Sequence, residues 1–178
     1  KWIYKNFLIN NTSLEEETKC VDSFILYIEE VVKKHMIKYK IKDRNLCYPK
    51  LYHWSHAEKS FLRGANKRNF NKWNNWINNR VQWIDYCKIF QNEPITIKGV
   101  KNFKLKDIAH KMYEYKMINS CWDDNSDINS GLSAMMSAIE YYKNNSTDKE
   151  TINQIIKYNE IDCKTVYEIV NYIRDNNT

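Results

Sequence analysis

The chain has 178 residues, the length of one ordinary domain and enough to bury a hydrophobic core. Its 43% hydrophobic and 14% aromatic content excludes a disordered polyampholyte, and no apolar run approaches the roughly 18 residues that span a bilayer. The 28 basic residues exceed the 22 acidic ones, for a net charge of +6. This excess favours an anionic partner such as nucleic acid, although many proteins with such a charge bind none.

The chain opens on an apolar, aromatic stretch. Residues 2–9 alternate imperfectly between apolar and polar side chains, which predicts a strand. A strand at the first residues, with no methionine before it, leads us to expect a piece of a longer protein.

The five cysteines are scattered and form no C-x-x-C pair. This spacing does not indicate a zinc site or a disulfide framework. We therefore expect an intracellular, reducing compartment, the cytoplasm or the nucleus.

A capping box begins a long helix near the start of the chain. Ser13 and Glu16 have the required spacing, and apolar residues then recur at helical intervals up to a lysine-rich end. The basic last turn complements the helix dipole.

A strand, a junction and a second helix follow. Residues 50–54 predict a short strand, and Ser55 and Glu58 form a second capping box before Phe61 and Leu62. This unit is typical of α/β sheets.

The segment 69–80 is rich in asparagine and predicts a helix, followed by a junction that carries Asp85. Residues 81–84, within this junction, could form a further strand of the sheet. Trp73 and Trp76 alternate here with basic residues and could form a surface that stacks on bases and contacts phosphates. The surface would comprise Lys72, Trp73, Trp76 and Arg80. The same spacing is also that of core packing, which is the commoner use of tryptophan.

The second half of the chain is mostly helical by its periodicity. Helices are predicted over 105–115, 131–142 and 149–173, with a loop over 93–103. The acidic run 123–129 has oxygen side chains at alternate positions, but it lacks the glycine and the final glutamate of a calcium loop. It therefore predicts a solvated loop.

Asp162 interrupts the apolar line of the last helix. A buried carboxylate needs compensation, and a basic or backbone partner is the commoner form of it. The alternative is a metal ligand. Tyr158 lies one turn earlier on the same face, where its hydroxyl could orient a water molecule beside that metal.

Three residues near the predicted strands could also belong to a site. Glu58 either completes its capping box or acts as a ligand at a strand-to-helix junction. Asp85 either caps the next helix or orients such a ligand. His53 and His56 flank the junction and could bind metal or substrate, but two histidines without a third ligand are more often structural.

In order along the chain, these segments resemble the YprB-type ribonuclease H-like domains, a branch of the DEDD 3'-5' exonuclease superfamily. Residues 52–62 resemble the second exonuclease motif, with Glu58 where many relatives carry Asp. Residues 103–109 resemble the Ser-Leu-Lys helix start, and residues 131–135 resemble the Gly-x-x-Ala-Met segment. The most specific match is 158–163, Tyr-Asn-Glu-Ile-Asp-Cys, which resembles the third motif.

The resemblance implies one α/β domain over residues 1–178, with a ribonuclease H-like fold in which a short mixed sheet is flanked by several helices. It also implies hydrolysis of phosphodiester bonds in DNA or RNA, at single-stranded ends, by two Mg²⁺ or Mn²⁺ ions about 3.5–4 Å apart. Glu58 and Asp162 would be metal ligands, Tyr158 would orient the attacking water, and Asp85 and His53 would support the ligands.

The first motif of the family, Asp-x-Glu on the first strand, has no counterpart before Trp2. We therefore expect the first strand to lie outside this chain, and the chain alone to be inactive. The alternative is a catalytically degenerate module that binds nucleic acid through the same fold. By resemblance, the parent protein could also carry a helicase or another nuclease domain.

Overall fold

The computed structural model describes residues 2–93, 95–123, 128, 130–144 and 146–176. The fold of these residues is mixed α/β and mostly helical. In chain order the elements are α1 (Leu14–Tyr39), β1 (Lys50–His53), α2 (Ala57–Arg68), β2 (Gln82–Asp85), α3 (Tyr86–Asn92), α4 (Leu105–Glu114), α5 (Gly131–Lys143) and α6 (Lys149–Asn176). A 3-10 turn covers Arg44–Cys47 and a π-helical turn covers Trp76–Arg80.

Packing divides the chain into two compact units. The strand unit is Phe7–Asp85, and the helical unit is Lys1–Asn6 together with Tyr86–Thr178. The strand unit holds α1, β1, α2 and β2, and the helical unit holds α3 to α6.

Helix α1 begins as its capping motif predicts. The Ser13 side chain accepts a hydrogen bond from the Glu16 amide at 3.2 Å. The Glu16 carboxylate accepts from the Asn10 amide at 3.0 Å, while the Ser13 amide donates to the Asn11 side chain. The cap therefore extends one turn further back along the chain than a simple box, and it orders the residues before the helix.

The two strands pair in parallel. Lys50 lies opposite Gln82 and His53 lies opposite Asp85, so that both strands end at the same position. The strands predicted near 50–54 and 81–84 are confirmed. The sequence predicts a short mixed sheet. In the part of the chain that the structure describes, the sheet has two strands and is parallel.

The predicted strand over residues 2–9 is wrong. Its aromatic side chains pack on helices, and its backbone does not join a sheet. In the helical unit, the Trp2 ring lies 5.1 Å from the Tyr167 ring and the Tyr4 hydroxyl donates to the Ile156 carbonyl. In the strand unit, the Phe7 ring lies 5.7 Å from the Phe24 ring.

The core of the strand unit forms between α1, α2 and the segment before β2. Its buried residues are Ile28, Val32, Cys47, Ala65, Trp73, Trp76, Ile77 and Val81. Trp73 and Trp76 are only 5% and 8% exposed, so the packing interpretation of this tryptophan pair is confirmed.

Glu29 of α1 accepts hydrogen bonds from three side chains at the edge of this core. Its carboxylate accepts from the Tyr48 hydroxyl at 2.9 Å, from Trp76 Nε1 at 2.9 Å and from the Arg44 guanidinium. Burial alone raises the pKa of this carboxyl, but the bonds from Tyr48, Arg44 and Trp76 outweigh burial and lower its pKa below the ordinary 4.5. Glu29 is therefore held in its charged form.

This arrangement predicts acid sensitivity. A lowered pKa in the folded state stabilises the protein above the ordinary pKa, and that stability is lost as the pH falls through the folded pKa. We expect the free energy of unfolding, from urea titrations followed by far-UV circular dichroism, to fall less below about pH 4.5 in Glu29→Gln than in the wild type. An equal fall in both proteins would contradict the prediction.

In the helical unit, α6 packs against α4 and α5. The completely or almost completely buried side chains are Phe90, Ile108, Met112, Thr165 and Ile169. The helices predicted over 105–115, 131–142 and 149–173 are confirmed as α4, α5 and α6. No helix in the described ranges of either unit has the length and apolar character needed to cross a membrane.

Candidate functional site

The residues that the sequence singles out fall into two groups. His53, Glu58 and Asp85 lie in the strand unit, whereas Tyr158 and Asp162 lie in the helical unit. Each group is built by the elements of its own unit.

The first group lies at the carboxyl end of the parallel strands. His53 is the last residue of β1 and Asp85 the last residue of β2, and the two are partners in the register. Ser55, in the turn that follows β1, donates its amide to Asp85 Oδ1 at 3.0 Å. We call His53, Ser55, His56, Glu58 and Asp85 the strand-end cluster.

His53 is the buried member of the cluster, with 6% of its surface exposed. Its Nδ1 lies 2.5 Å from the Ser55 carbonyl oxygen and 3.9 Å from Glu58 Oε2. The Trp83 ring contacts it edge-on, with ring centres 5.8 Å apart. Because the nearest group to Nδ1 is a carbonyl, we assign the proton of the neutral ring to Nδ1, which leaves Nε2 as the acceptor.

The second capping box is wrong, and this changes the interpretation of Glu58. Helix α2 is capped at His56 without a side-chain hydrogen bond. Ser55 has a left-handed backbone, with φ of 68°, and its hydroxyl contacts His56 Nδ1 at 3.0 Å. The Glu58 side chain is therefore not used as a cap; it is 56% exposed beside His53.

Asp85 orients this turn. By accepting the Ser55 amide, its carboxylate connects the end of β2 to the segment that leads into Glu58. Both interpretations of Asp85 from the sequence, as a cap of α3 or as support for a ligand, stay predictions.

The second group lies on α6. Asp162 Oδ1 accepts a hydrogen bond from Trp122 Nε1 at 2.8 Å. The Trp122 ring is stacked on His110, with ring planes 9° apart and centres 6.1 Å apart. A rigid, buried indole therefore fixes one oxygen of this carboxylate.

Tyr158 lies on α6 one turn before Asp162, and its hydroxyl approaches the start of α5. A Cβ atom at Gly131 would stand 4.0 Å from the Tyr158 hydroxyl, so the phenol reaches the first residue of that helix. Burial, followed by the negative charge of Asp162, raises the pKa of Tyr158 to about 12. The hydroxyl therefore keeps its proton at neutral pH.

The raised pKa gives a second prediction. A raised pKa in the folded state stabilises the protein below the ordinary value of 10, and this stability is lost as the pH rises toward about 12. We expect Asp162→Asn to lower the pKa of Tyr158, as measured by NMR titration of ring-labelled tyrosine, because one cause of the shift is removed. Tyr158→Phe identifies the resonance. An unchanged pKa in Asp162→Asn would show that the carboxylate does not act on the phenol.

The predicted nucleic-acid surface needs correction. Trp73 and Trp76 are buried, and Trp73 Nε1 donates to Asp22 at 2.8 Å. Lys72 forms an ion pair with the same Asp22 at 2.7 Å, and Arg80 donates to the Asn45 side chain. These rings belong to the core and are not available to stack on bases.

Among the described residues, no three His, Cys, Asp or Glu side chains are grouped so as to hold a metal ion. The acidic run 123–129 lies mostly outside the described residues. The two Mg²⁺ or Mn²⁺ ions stay a prediction from the resemblance.

No protein-family model, curated protein or solved structure matches this chain. The resemblance to YprB-type domains therefore depends on the sequence motifs, above all on residues 158–163.

Proposed function

We propose that this chain acts as a ribonuclease H-like 3'-5' exonuclease domain, which hydrolyses phosphodiester bonds at DNA or RNA ends. The observation that carries the proposal is the gathering of His53, Glu58 and Asp85 at the carboxyl end of the parallel strands. Ligands of open α/β sheets bind at this end of the strands.

The strand-end cluster suits the recognition of a polar group. Glu58 offers an exposed carboxylate, and His53 and Asp85 hold the turn that carries it. Because the turn is held from both strands, the backbone that leads to Glu58 is fixed before a ligand binds.

The helical unit supplies the other proposed residues. Asp162 contributes a carboxylate oriented by Trp122, and Tyr158 contributes a protonated hydroxyl. A protonated phenol can donate a hydrogen bond and accept another, and a group of this kind can orient an attacking water. Mg²⁺ or Mn²⁺ belongs to the proposal through the resemblance alone.

A second candidate function is binding of nucleic acid without catalysis. It is favoured by the net charge of +6, which attracts a polyanion without requiring catalysis. The two functions share a partner and differ in whether the polymer is cut.

Degradation of end-labelled single-stranded DNA and RNA, with Mg²⁺ or Mn²⁺, tests the proposal. The wild-type protein is compared with Glu58→Gln and Asp162→Asn. The matched controls are Glu15→Gln, at an exposed residue of α1, and Asp175→Asn, at an exposed residue of α6. We expect both site variants to lose activity by at least about a hundredfold, the scale of lost acid–base or electrostatic catalysis, while the controls retain it.

Equal activity in the site variants and the controls would contradict these assignments. If the wild-type protein binds both polymers in an anisotropy assay but degrades neither, the non-catalytic binding module replaces the exonuclease.

A further inference from the structure

The second half of α1 and the residues after it carry an exposed group of lysines. The group comprises Lys33, Lys34, Lys38, Lys40 and Lys42, and we call it the basic end of α1. All five are exposed. In the part of the chain that the structure describes, no carboxylate lies within ion-pairing distance of any of them, including Glu30 one turn earlier.

The rest of α1 shows the opposite behaviour. Three of its acidic side chains pair with bases from other parts of the strand unit: Glu17 with Arg68, Asp22 with Lys72 and Glu29 with Arg44. Glu15 and Glu16 pair with Lys19 of the same helix. The negative charge of the helix is therefore largely compensated within the fold. The positive charge at its basic end is left to the solvent.

The helix dipole accounts for only a small part of this group. A cation stabilises a helix C-terminus within the last turn, and Lys38 is the basic residue of that turn. Lys40 stands at the cap and Lys42 beyond it, while Lys33 and Lys34 precede the last turn. Five cations thus exceed what the helix requires.

An aromatic pair lies among these lysines. The Tyr39 side chain is 55% exposed, and its ring centre is 4.5 Å from that of His35. Lys38 Nζ lies 5.0 Å from the centre of the Tyr39 ring. An exposed ring within a row of cations is the arrangement by which proteins hold single strands, because a base stacks on the ring while the lysines contact phosphates.

We propose that the basic end of α1 binds single-stranded nucleic acid, with its phosphates on the lysines and one base on Tyr39. This surface replaces the one predicted around Trp73 and Trp76. The choice of nucleic acid as the partner rests on the proposed function. The inference itself concerns binding and involves no residue assigned to catalysis. Ile37 is 69% exposed beside the lysines, so an anionic membrane is the competing partner that the experiment must separate.

Fluorescence anisotropy with labelled single-stranded oligonucleotides, in the presence of a chelator, measures binding without hydrolysis. The protein is compared with the triple variant Lys33→Ala, Lys34→Ala, Lys38→Ala. A control triple variant, Lys101→Ala, Lys143→Ala, Lys149→Ala, removes the same charge from exposed lysines of the helical unit. Alanine favours helix, and far-UV circular dichroism verifies that each variant folds.

We expect the α1 triple variant to bind roughly tenfold more weakly or worse, and the control to bind nearly as the wild type does. The slope of log affinity against log salt should decrease by about 2, since each phosphate contact on a single strand contributes about 0.7. Tyr39→Ala should weaken binding by about fivefold or more through lost stacking, whereas Tyr39→Phe should retain it.

Equal losses in the two triple variants would overturn the proposal, because binding would then follow net charge. Wild-type affinity in the α1 triple variant would also overturn it, as would tighter binding to vesicles that contain phosphatidylserine than to the oligonucleotides. Because no metal is present in these assays, their failure is independent of the nuclease assay on Asp162→Asn.

Discussion

Replacing Trp76 with alanine should lower the free energy of unfolding by about 3–5 kcal/mol, the usual cost of removing a buried aromatic side chain. Trp76 is 8% exposed, and its ring packs edge-on against Phe24 with centres 5.8 Å apart. Its indole N–H also donates to Glu29. The variant therefore loses packing in the core and one of the donors that hold Glu29 charged.

The variant Trp76→Phe separates the two contributions. It keeps an aromatic ring in the core but removes the indole donor, while Tyr48 and Arg44 still contact Glu29. We expect a loss well below that of the alanine variant, with about 1 kcal/mol from the hydrogen bond. Urea unfolding followed by far-UV circular dichroism measures both. A loss below about 1 kcal/mol in Trp76→Ala would contradict the position of Trp76 in the core.

The second large effect is expected at Trp122. This side chain is 6% exposed, it is stacked on His110 and it donates to Asp162. Alanine at this position should cost about 3–5 kcal/mol of stability, because it leaves a cavity beneath the carboxylate. If the exonuclease proposal holds, it should also lower activity through Asp162, which would lose the donor that orients it.

Here too the phenylalanine variant isolates the hydrogen bond. Trp122→Phe retains an aromatic ring beside His110, so most of the stability should remain, whereas the carboxylate of Asp162 loses its indole partner. A fall in nuclease activity without unfolding would identify Trp122 as a positioning residue. If activity per folded molecule equals that of the wild type, the hydrogen bond does not position Asp162 for catalysis.

The helices of this protein could be predicted from periodicity because their apolar faces are long. Helix α1 spans 26 residues and α6 spans 28, so that each pattern repeats over many turns. The segment 2–9 has only eight residues and alternates imperfectly, and its large aromatic residues serve equally well to pack on helices. Short apolar segments of this kind do not decide between these outcomes.

The strand-end cluster was predictable as a set of residues but not as a set of contacts. The spacing of Ser55 and Glu58 matches a capping box, yet the motif says nothing of backbone conformation, and Ser55 is left-handed. Its amide partner, Asp85, lies 30 positions along the chain. Such a contact appears only when the two strands are paired.

The basic end of α1 was missed because its lysines have an ordinary explanation in sequence, the complement of a helix dipole. The helix dipole does not account for all five lysines, because none of them has an acidic partner among the described residues. That lack of partners depends on tertiary contacts, which the sequence does not give. A sequence signal was nevertheless present. Five lysines occur within residues 33–42, in which no acidic residue occurs.

The shared end point of β1 and β2 also limits which changes of chain length the protein can accept. Side chains alternate between the faces of a strand, so a deletion of one residue inside β2 would transfer Asp85 to the opposite face and away from the Ser55 amide. Across evolution, the two strands should therefore keep their lengths.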